Sequence, residues 1–460
     1  MSKEPEIEAT NAGGEYEREP VPAQAQKGQG AFWGMYAGEH TAGTEFLIGP
    51  LFLINWGVGG MTLILGLLLG NLAAVLSWRY ITAPIATRAR MTLYYQLEKI
   101  TGRNLVSLYN IANGVLFCFL AGSMITVSAT AFGPFMKSVE AVNFTTSMPP
   151  NLTWCILVVL IGAAMTFVAM KGYGLVARVG QIAAPWMFLI FLSSALVILG
   201  KLDTTDVVAA LTPASDVIAT KGFWAVFFFA WFCNAAMHVG MADLSVLRFA
   251  KSPNAGWASS SGMFLGHCVA WLCAALLLVY WGKQMGSNEL AKNVSLGTMV
   301  NDAVGIPGLI CVVIAGWTTA NPTLYRAGLA FQGLFPSLGR VGATILAGVL
   351  CIIAGLFPKF AMTLLDFVGI YGTILAPVGA ILFVDFWLSK RCGFPGFWAE
   401  KTGSSFNMVA LFAWLLPVAV GGYFYRVHGI FPSYMTLPVW LGAGLLYVVL
   451  AKLFLKPANH

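Results

Sequence analysis

Apolar residues in this chain come in long runs, and the polar residues between them are few. Such runs fall near 32–54, 58–81, 104–135, 152–171, 176–200, 222–246, 258–282, 303–327, 340–357, 361–388, 405–425 and 435–456. About 20 largely apolar residues are needed to cross the hydrocarbon core of a bilayer as a helix. The pattern therefore predicts twelve membrane-spanning helices. The third run is long enough to tilt or to end in an interfacial piece, and only Phe357, Pro358 and Lys359 separate the ninth from the tenth.

Three runs are interrupted by polar residues. The first carries Glu39, His40, Thr41 and Glu45 among Gly38, Gly43 and Gly49, and reaches Pro50. This reads as a helix broken at membrane depth, which is tolerated only where the freed backbone is enclosed by protein or lines a cavity. A freed carbonyl there would coordinate a cation. A carboxylate, Glu39 or Glu45, could carry a proton or neutralise a cation. The sixth run is strongly aromatic until Asn234, His238 and Gly240. Asn234 and His238 lie four apart and share a helix face, with Trp231 three before Asn234. An amide, an imidazole and aromatic rings suit a flat heteroaromatic ligand; ordinary helix packing with polar contacts is the alternative. The eighth run concentrates Thr318, Thr319, Asn321, Thr323 and Tyr325, and its Pro322 frees a carbonyl one turn earlier. Hydroxyls and carbonyls are the hard oxygen ligands that an alkali cation prefers.

Composition agrees with this pattern. Of 460 residues, 58% are hydrophobic and only 10% charged, against roughly 25% charged in a soluble domain. A soluble globular protein, a disordered chain and a collagen-like chain are excluded. The first 30 residues hold six glutamates, lack the apolar core of a secretory signal, and read as a solvated, disordered tail. None of the eight cysteines forms a C-x-x-C pair, so neither a disulfide framework nor a metal site is expected.

The 26 Lys and Arg set orientation. With the N-terminal tail in the cytoplasm, 19 fall on the inner side, Arg326 among them, and seven on the outer side. This predicts a multi-pass cell-membrane protein with both termini cytoplasmic. The stretch from Arg79 to Arg103 reads as a cytoplasmic loop with a short interfacial helix. The net charge of +7 then serves topology, and no nucleic-acid partner is needed to explain it. Asp243 and Arg248 read as an interfacial pair, Asp385 as lying near the headgroups, and His267 as a lone packed histidine.

The first and sixth runs, five apart, are the broken ones, as a five-plus-five inverted repeat requires. The expected organisation is a tail at 1–30, five-helix repeats at 31–200 and 201–390, and a last segment at 391–460. Several motifs carry a family resemblance. The Asp243–Lys251 run, DLSVLRFAK, resembles the D-x-S-R-F-A-K signature of nucleobase:cation symporter family 1. The Trp317–Tyr325 run, WTTANPTLY, is similar to that family's W-T-T-x-N-x-x-x-Y stretch. Gly369 to Trp387 resembles its tenth-helix pattern of Gly, Pro, Gly and Asp, and Gly70 with Asn71 fits its second helix. The resemblance covers about residues 30 to 456.

It implies an all-α integral membrane protein with a LeuT-like fold, ten core helices plus two. It implies a secondary symporter for a nucleobase or related planar nitrogenous compound (cytosine, purine, allantoin or hydantoin-like) coupled to sodium. The implied cation ligands are Ala315, Thr318 and Thr319, with first-helix carbonyls at Gly38 and Thr41. The implied substrate residues are Asn113 and Phe117, then Trp231 or Asn234, then Asn321; the residue reading adds His238 and Glu45. A proton-coupled importer of a pyrimidine vitamin or organic cation, using Glu39 or Glu45, is the alternative, and a channel or membrane sensor a more distant one. No enzyme chemistry is expected, because the His and acidic residues form no recognisable metal or nucleophile constellation. No cofactor beyond the coupling sodium or proton is expected, and no partner beyond the substrate and the bilayer.

Overall fold

In lipid, backbone polar groups must be satisfied within the segment itself, and a helix does this for a single apolar run. The computed structural model describes residues 16–455 except 44, 145, 203–210, 214–217 and 287–295, and these residues are overwhelmingly helical. In chain order the longer α-helices are α1 (Gly30–His40), α2 (Glu45–Ile54), α3 (Gly60–Ser77), α4 (Leu93–Thr101), α5 (Arg103–Thr130), α6 (Leu152–Met170), α7 (Tyr173–Lys201) and α8 (Phe223–Phe232). They continue as α9 (Trp271–Met285), α10 (Leu296–Val304), α11 (Ile306–Leu334), α12 (Gly339–Gly355), α13 (Leu364–Trp387), α14 (Met408–His428) and α15 (Pro432–Phe454). Wider π-type turns extend α3 beyond Ser77 at Trp78–Thr82 and precede α9 at Ser261–Ala270.

Nine helices among the described residues are long and apolar enough to cross a membrane. The other three expected spans are the three the sequence marks as unusual. The first is split into α1 and α2, the sixth stops at Phe232, and the eighth is α11, a continuous helix of 29 residues dense in polar groups. The separation of the ninth and tenth spans is a short turn at Lys359–Met362. The helical span begun by α3 runs on to Ala89 through Pro84, further than the loop expected from Arg79 onward. Only then does α4 follow, with the Thr92 hydroxyl accepting from the Tyr95 N–H at 3.2 Å.

The helix α11 packs along α5, α7, α12 and α1, with α8 against α3, α9 against α2 and α13 against α15. Several glycines let backbones meet with no room for a side chain, and two of them touch the broken segments. A Cβ on Gly266 would overlap the His40 carbonyl at the end of α1, and one on Gly379 would overlap the Val239 carbonyl in the sixth span. Both broken segments are thus backed by glycine on a neighbouring helix. Asp385 is buried, accepting from the Phe397 N–H at 3.0 Å and the Tyr447 hydroxyl at 3.2 Å. It ties α13 to α15.

Of the tail expected to be disordered, residues 1–15 lie outside the described residues and the rest is ordered. Residues 16–29 form a strap against the body. The Val21 N–H donates to the Arg90 carbonyl at 2.9 Å, and Lys27 forms an isolated parallel bridge with Ala250, donating to the Phe249 carbonyl and accepting from the Lys251 N–H. Arg18 meets Glu98 at 2.7 Å. Val21 is fully buried, a single apolar anchor that the surrounding polar composition hides.

Candidate transport site

The break in the first span begins where Thr41 leaves helical geometry, at φ −95° and ψ 60°. Its N–H still donates to the Ala37 carbonyl at 2.9 Å, closing the ladder, so the carbonyls after Ala37 lie beyond it. The Glu39 carbonyl accepts the Thr319 hydroxyl at 2.6 Å, and the same hydroxyl lies 3.2 Å from the Ala315 carbonyl. Two carbonyls and a hydroxyl from α1 and α11 therefore converge. Of the cation ligands expected from sequence, Ala315 and Thr319 meet the first-span break, but at the Glu39 carbonyl. Gly38 packs its backbone against Gly180. Thr318 turns to the Ala315 carbonyl and the Met187 sulfur, at 3.2 and 3.5 Å. The buried Thr41 hydroxyl has no hydrogen-bond partner among the described residues.

Beside this cluster lies an ion network. Arg326 of α11 is fully buried and grips both oxygens of Glu39, the Nη2–Oε2 bond being 3.1 Å. The same Nη2 donates to Asp243 Oδ1 at 2.6 Å. The other Asp243 oxygen accepts from Trp78 Nε1 at 2.6 Å and from the Tyr36 hydroxyl at 2.9 Å. This corrects two expectations. Asp243 pairs with Arg326, while Arg248 donates to the Ser245 carbonyl at 3.0 Å and the Tyr16 carbonyl at 2.5 Å. Arg326 is no topology-setting loop cation; it joins α1, α11 and the end of the sixth span. Charge buried at this depth has to be paired and hydrogen-bonded.

The sixth span unwinds between Cys233 and Asp243. The Gly240 N–H reaches back to the Ala235 carbonyl at 2.7 Å and the Ala242 N–H to the Ala236 carbonyl at 3.0 Å. Met241 sits at φ +69°, a conformation rare for a non-glycine residue. Between the two broken segments lies a cavity of about 540 Å³ including its mouth. Glu39, His40, Glu45, Asn234, His267, Thr319 and Thr323 supply its polar wall, and Phe229 and Trp271 its rings. Leu120 and Met124 of α5 and Leu364 and Val368 of α13 close it with apolar surface.

Glu45 is buried and accepts from Trp271 Nε1, and His267 Nε2 stands 3.6 Å from its other oxygen. His267 stacks on Trp271 at 4.4 Å and faces Cys233 Sγ at 3.4 Å through Nδ1. It is part of the cavity wall, contrary to its reading as a lone packed histidine.

Of the expected substrate residues, Glu45 and Asn234 line this cavity. Phe117 shares an adjoining recess with Asn234. Trp231 turns to the Ser77 hydroxyl at 2.9 Å, so that of these two residues Asn234 is the one at the cavity. His238 Nε2 donates to the Trp231 carbonyl at 2.8 Å and the ring packs on Trp78 at 4.6 Å. Asn113 donates to the Tyr94 hydroxyl at 3.0 Å. Asn321 is buried with neither amide atom partnered among the described residues, off the cavity wall. Sequence reasoning missed His40, Trp271 and Arg326. His267 and Trp271 are four apart, which places two rings on one helix face. Glu39, Asp243 and Arg326 all fall within expected spans, where opposite charges invite pairing.

No protein-family model matches the chain, and no curated protein matches it by sequence. Among solved structures, the chain is similar to the nucleobase-cation-symport-1 family transporter MHP1 in a closed conformation with bromovinylhydantoin bound. The identity is 15%, 94% of each chain is covered, and the TM-score is 0.69. It is also similar to a Na+-coupled sialic acid symporter in a substrate-bound outward-open state, at 16% identity, covering 96% of this chain and 93% of that one, with a TM-score of 0.64. The protein is an all-α, multi-pass membrane protein with the LeuT-like fold, and the resemblance to nucleobase:cation symporter family 1 carried by its motifs extends to its three-dimensional structure.

Proposed function

We propose that the chain is a secondary active symporter that imports a small planar nitrogen-containing compound together with sodium. The observation that carries this reading is the convergence of the Thr319 hydroxyl and Ala315 carbonyl on the Glu39 carbonyl at the helix break. Hard oxygens at an unwound helix are the ligand type an alkali cation takes in transporters. Charge supports it. Arg326 answers only one of Glu39 and Asp243, so with these groups ionised the network keeps one negative charge in excess, beside the oxygen cluster.

A cation bound there would hold α1 against α11 while the cavity wall next to it receives substrate. Glu39 belongs to both places, through its carbonyl and as a cavity-lining residue, so each ligand would raise the affinity of the other. Phe229, Trp271 and His267 offer ring faces to a flat molecule. Alternating access follows from the two broken spans moving against the helices packed on them.

The proton-coupled alternative narrows to one residue. Glu39 is held by Arg326, which leaves Glu45 as the candidate carrier. Uptake into proteoliposomes, measured with sodium replaced by choline at fixed pH on both sides, separates the two. Sodium coupling predicts loss of accumulation. Unchanged accumulation sinks the sodium site and favours Glu45.

A further inference from the structure

The two acids at the cavity differ. Glu39 is gripped by Arg326, whereas Glu45, equally buried, faces no arginine or lysine among the described residues of the cavity wall. Its carboxylate meets only neutral donors, the Trp271 N–H and the Ala42 backbone N–H, while the His267 ring nitrogen is too far at 3.6 Å for a hydrogen bond. Uncompensated buried carboxylate is costly. On the same wall, His40 has both ring nitrogens buried and unpartnered among the described residues, and the Asn234 amide nitrogen is also unpartnered. Two ring faces, Phe229 and Trp271, flank these groups.

We infer that this cavity recognises a planar cation of the amidinium type, with Glu45 as the residue that determines its charge specificity. One N–H edge of the ligand would donate to Glu45 and a second N–H to an imidazole nitrogen of His40, while its π-face lies against Trp271 and Phe229. Such a ligand supplies the positive charge the wall lacks and satisfies the orphaned ring nitrogen at the same time. The wall is unsuited to a carboxylate substrate, because Glu45 and the Glu39–Asp243 pair would repel it. The inference rests on the proposed transport role of the cavity and deepens it.

Benzamidinium and benzamide, alike in shape and different in charge, test it on the purified full-length protein in detergent by isothermal titration. Benzamidinium is expected to bind at least about tenfold tighter than benzamide. Glu45→Gln is expected to abolish that preference and leave benzamide within about threefold. Equal affinities, binding of neither probe, or a preference that survives Glu45→Gln overturns the inference. Should Glu45→Gln fail to fold, Glu45→Asp replaces it. It keeps the charge but withdraws the carboxylate by one methylene, so the ratio of benzamidinium to benzamide affinity should fall at least about threefold; an unchanged or higher ratio overturns the inference. Sodium-dependent stabilisation is read on the same samples. Its absence with the preference intact counts against sodium coupling and leaves Glu45 standing, and the converse result separates them the other way.

Discussion

Replacing Arg326 by methionine should be among the most damaging single changes in the protein, and its cost should be largely recoverable. The side chain is fully buried and makes three charge-assisted bonds, two to Glu39 and one to Asp243. Arg326→Met removes all three and strands two carboxylates beside each other. Breaking a buried ion pair in this one-sided way costs about 3–5 kcal/mol. Replacing every charged member by a neutral group of similar size is far cheaper, because no desolvated charge remains. The triple variant Arg326→Met, Glu39→Gln, Asp243→Asn should therefore recover at least half of the loss. In that variant the amide oxygen introduced by Asp243→Asn can still accept from Trp78 and Tyr36, which hold Asp243 at 2.6 and 2.9 Å. Unfolding free energies from denaturing-detergent titration in mixed micelles measure both values, and the non-additivity reports the coupling. A single variant within about 1 kcal/mol of wild type, or a triple variant no more stable than the single, would refute the claim that buried ion pairing to Arg326 locks these helices together.

Three further outcomes are expected. Thr319→Ala removes the hydroxyl that joins the Glu39 and Ala315 carbonyls, so the sodium concentration for half-maximal uptake should rise at least about tenfold, roughly 1.4 kcal/mol, with a smaller effect on sodium-saturated substrate binding; an unshifted sodium curve counts against the site. Gly266→Ala forces a methyl onto the His40 carbonyl and should destabilise by about 1–3 kcal/mol, whereas Gly174→Ala, with open space around it, should be tolerated; thermal unfolding midpoints compare the two. Asn321→Ala deletes a buried amide that has no partner among the described residues, so the fold should survive by size-exclusion profile while uptake is lost, and full uptake would remove Asn321 from the substrate pathway.

Much of the architecture was legible because lipid imposes a simple code. Apolar length names a span, and polar interruptions name the exceptions. The runs at 32–54, 222–246 and 303–327 are the ones that fail as ordinary apolar spans: two are broken and the third, α11, is thick with hydroxyls and amides. The elements hardest to read were those whose partners lie far along the chain. His267 looks solitary in sequence, yet it borders Glu45, more than two hundred residues away, and Cys233. The strap at residues 16–29 reads as solvated tail because one buried valine and a few backbone bonds leave almost no compositional trace.

The sequence by itself determined the solvent, the approximate places of the spans, the two helix breaks and the scarcity of charge within the membrane. Each of these follows from local hydropathy, from glycine and proline, or from the cost of placing a polar group in hydrocarbon. Tertiary structure decided which scarce charges meet. Arg326 could have faced the headgroups and Asp243 could have taken Arg248; instead the packing of α11 on α1 brings Arg326 to Glu39 and Asp243 and leaves Glu45 on the cavity wall with no arginine or lysine beside it among the described residues. Pairing of buried charge depends on distances across helices, and no one-dimensional pattern carries that information.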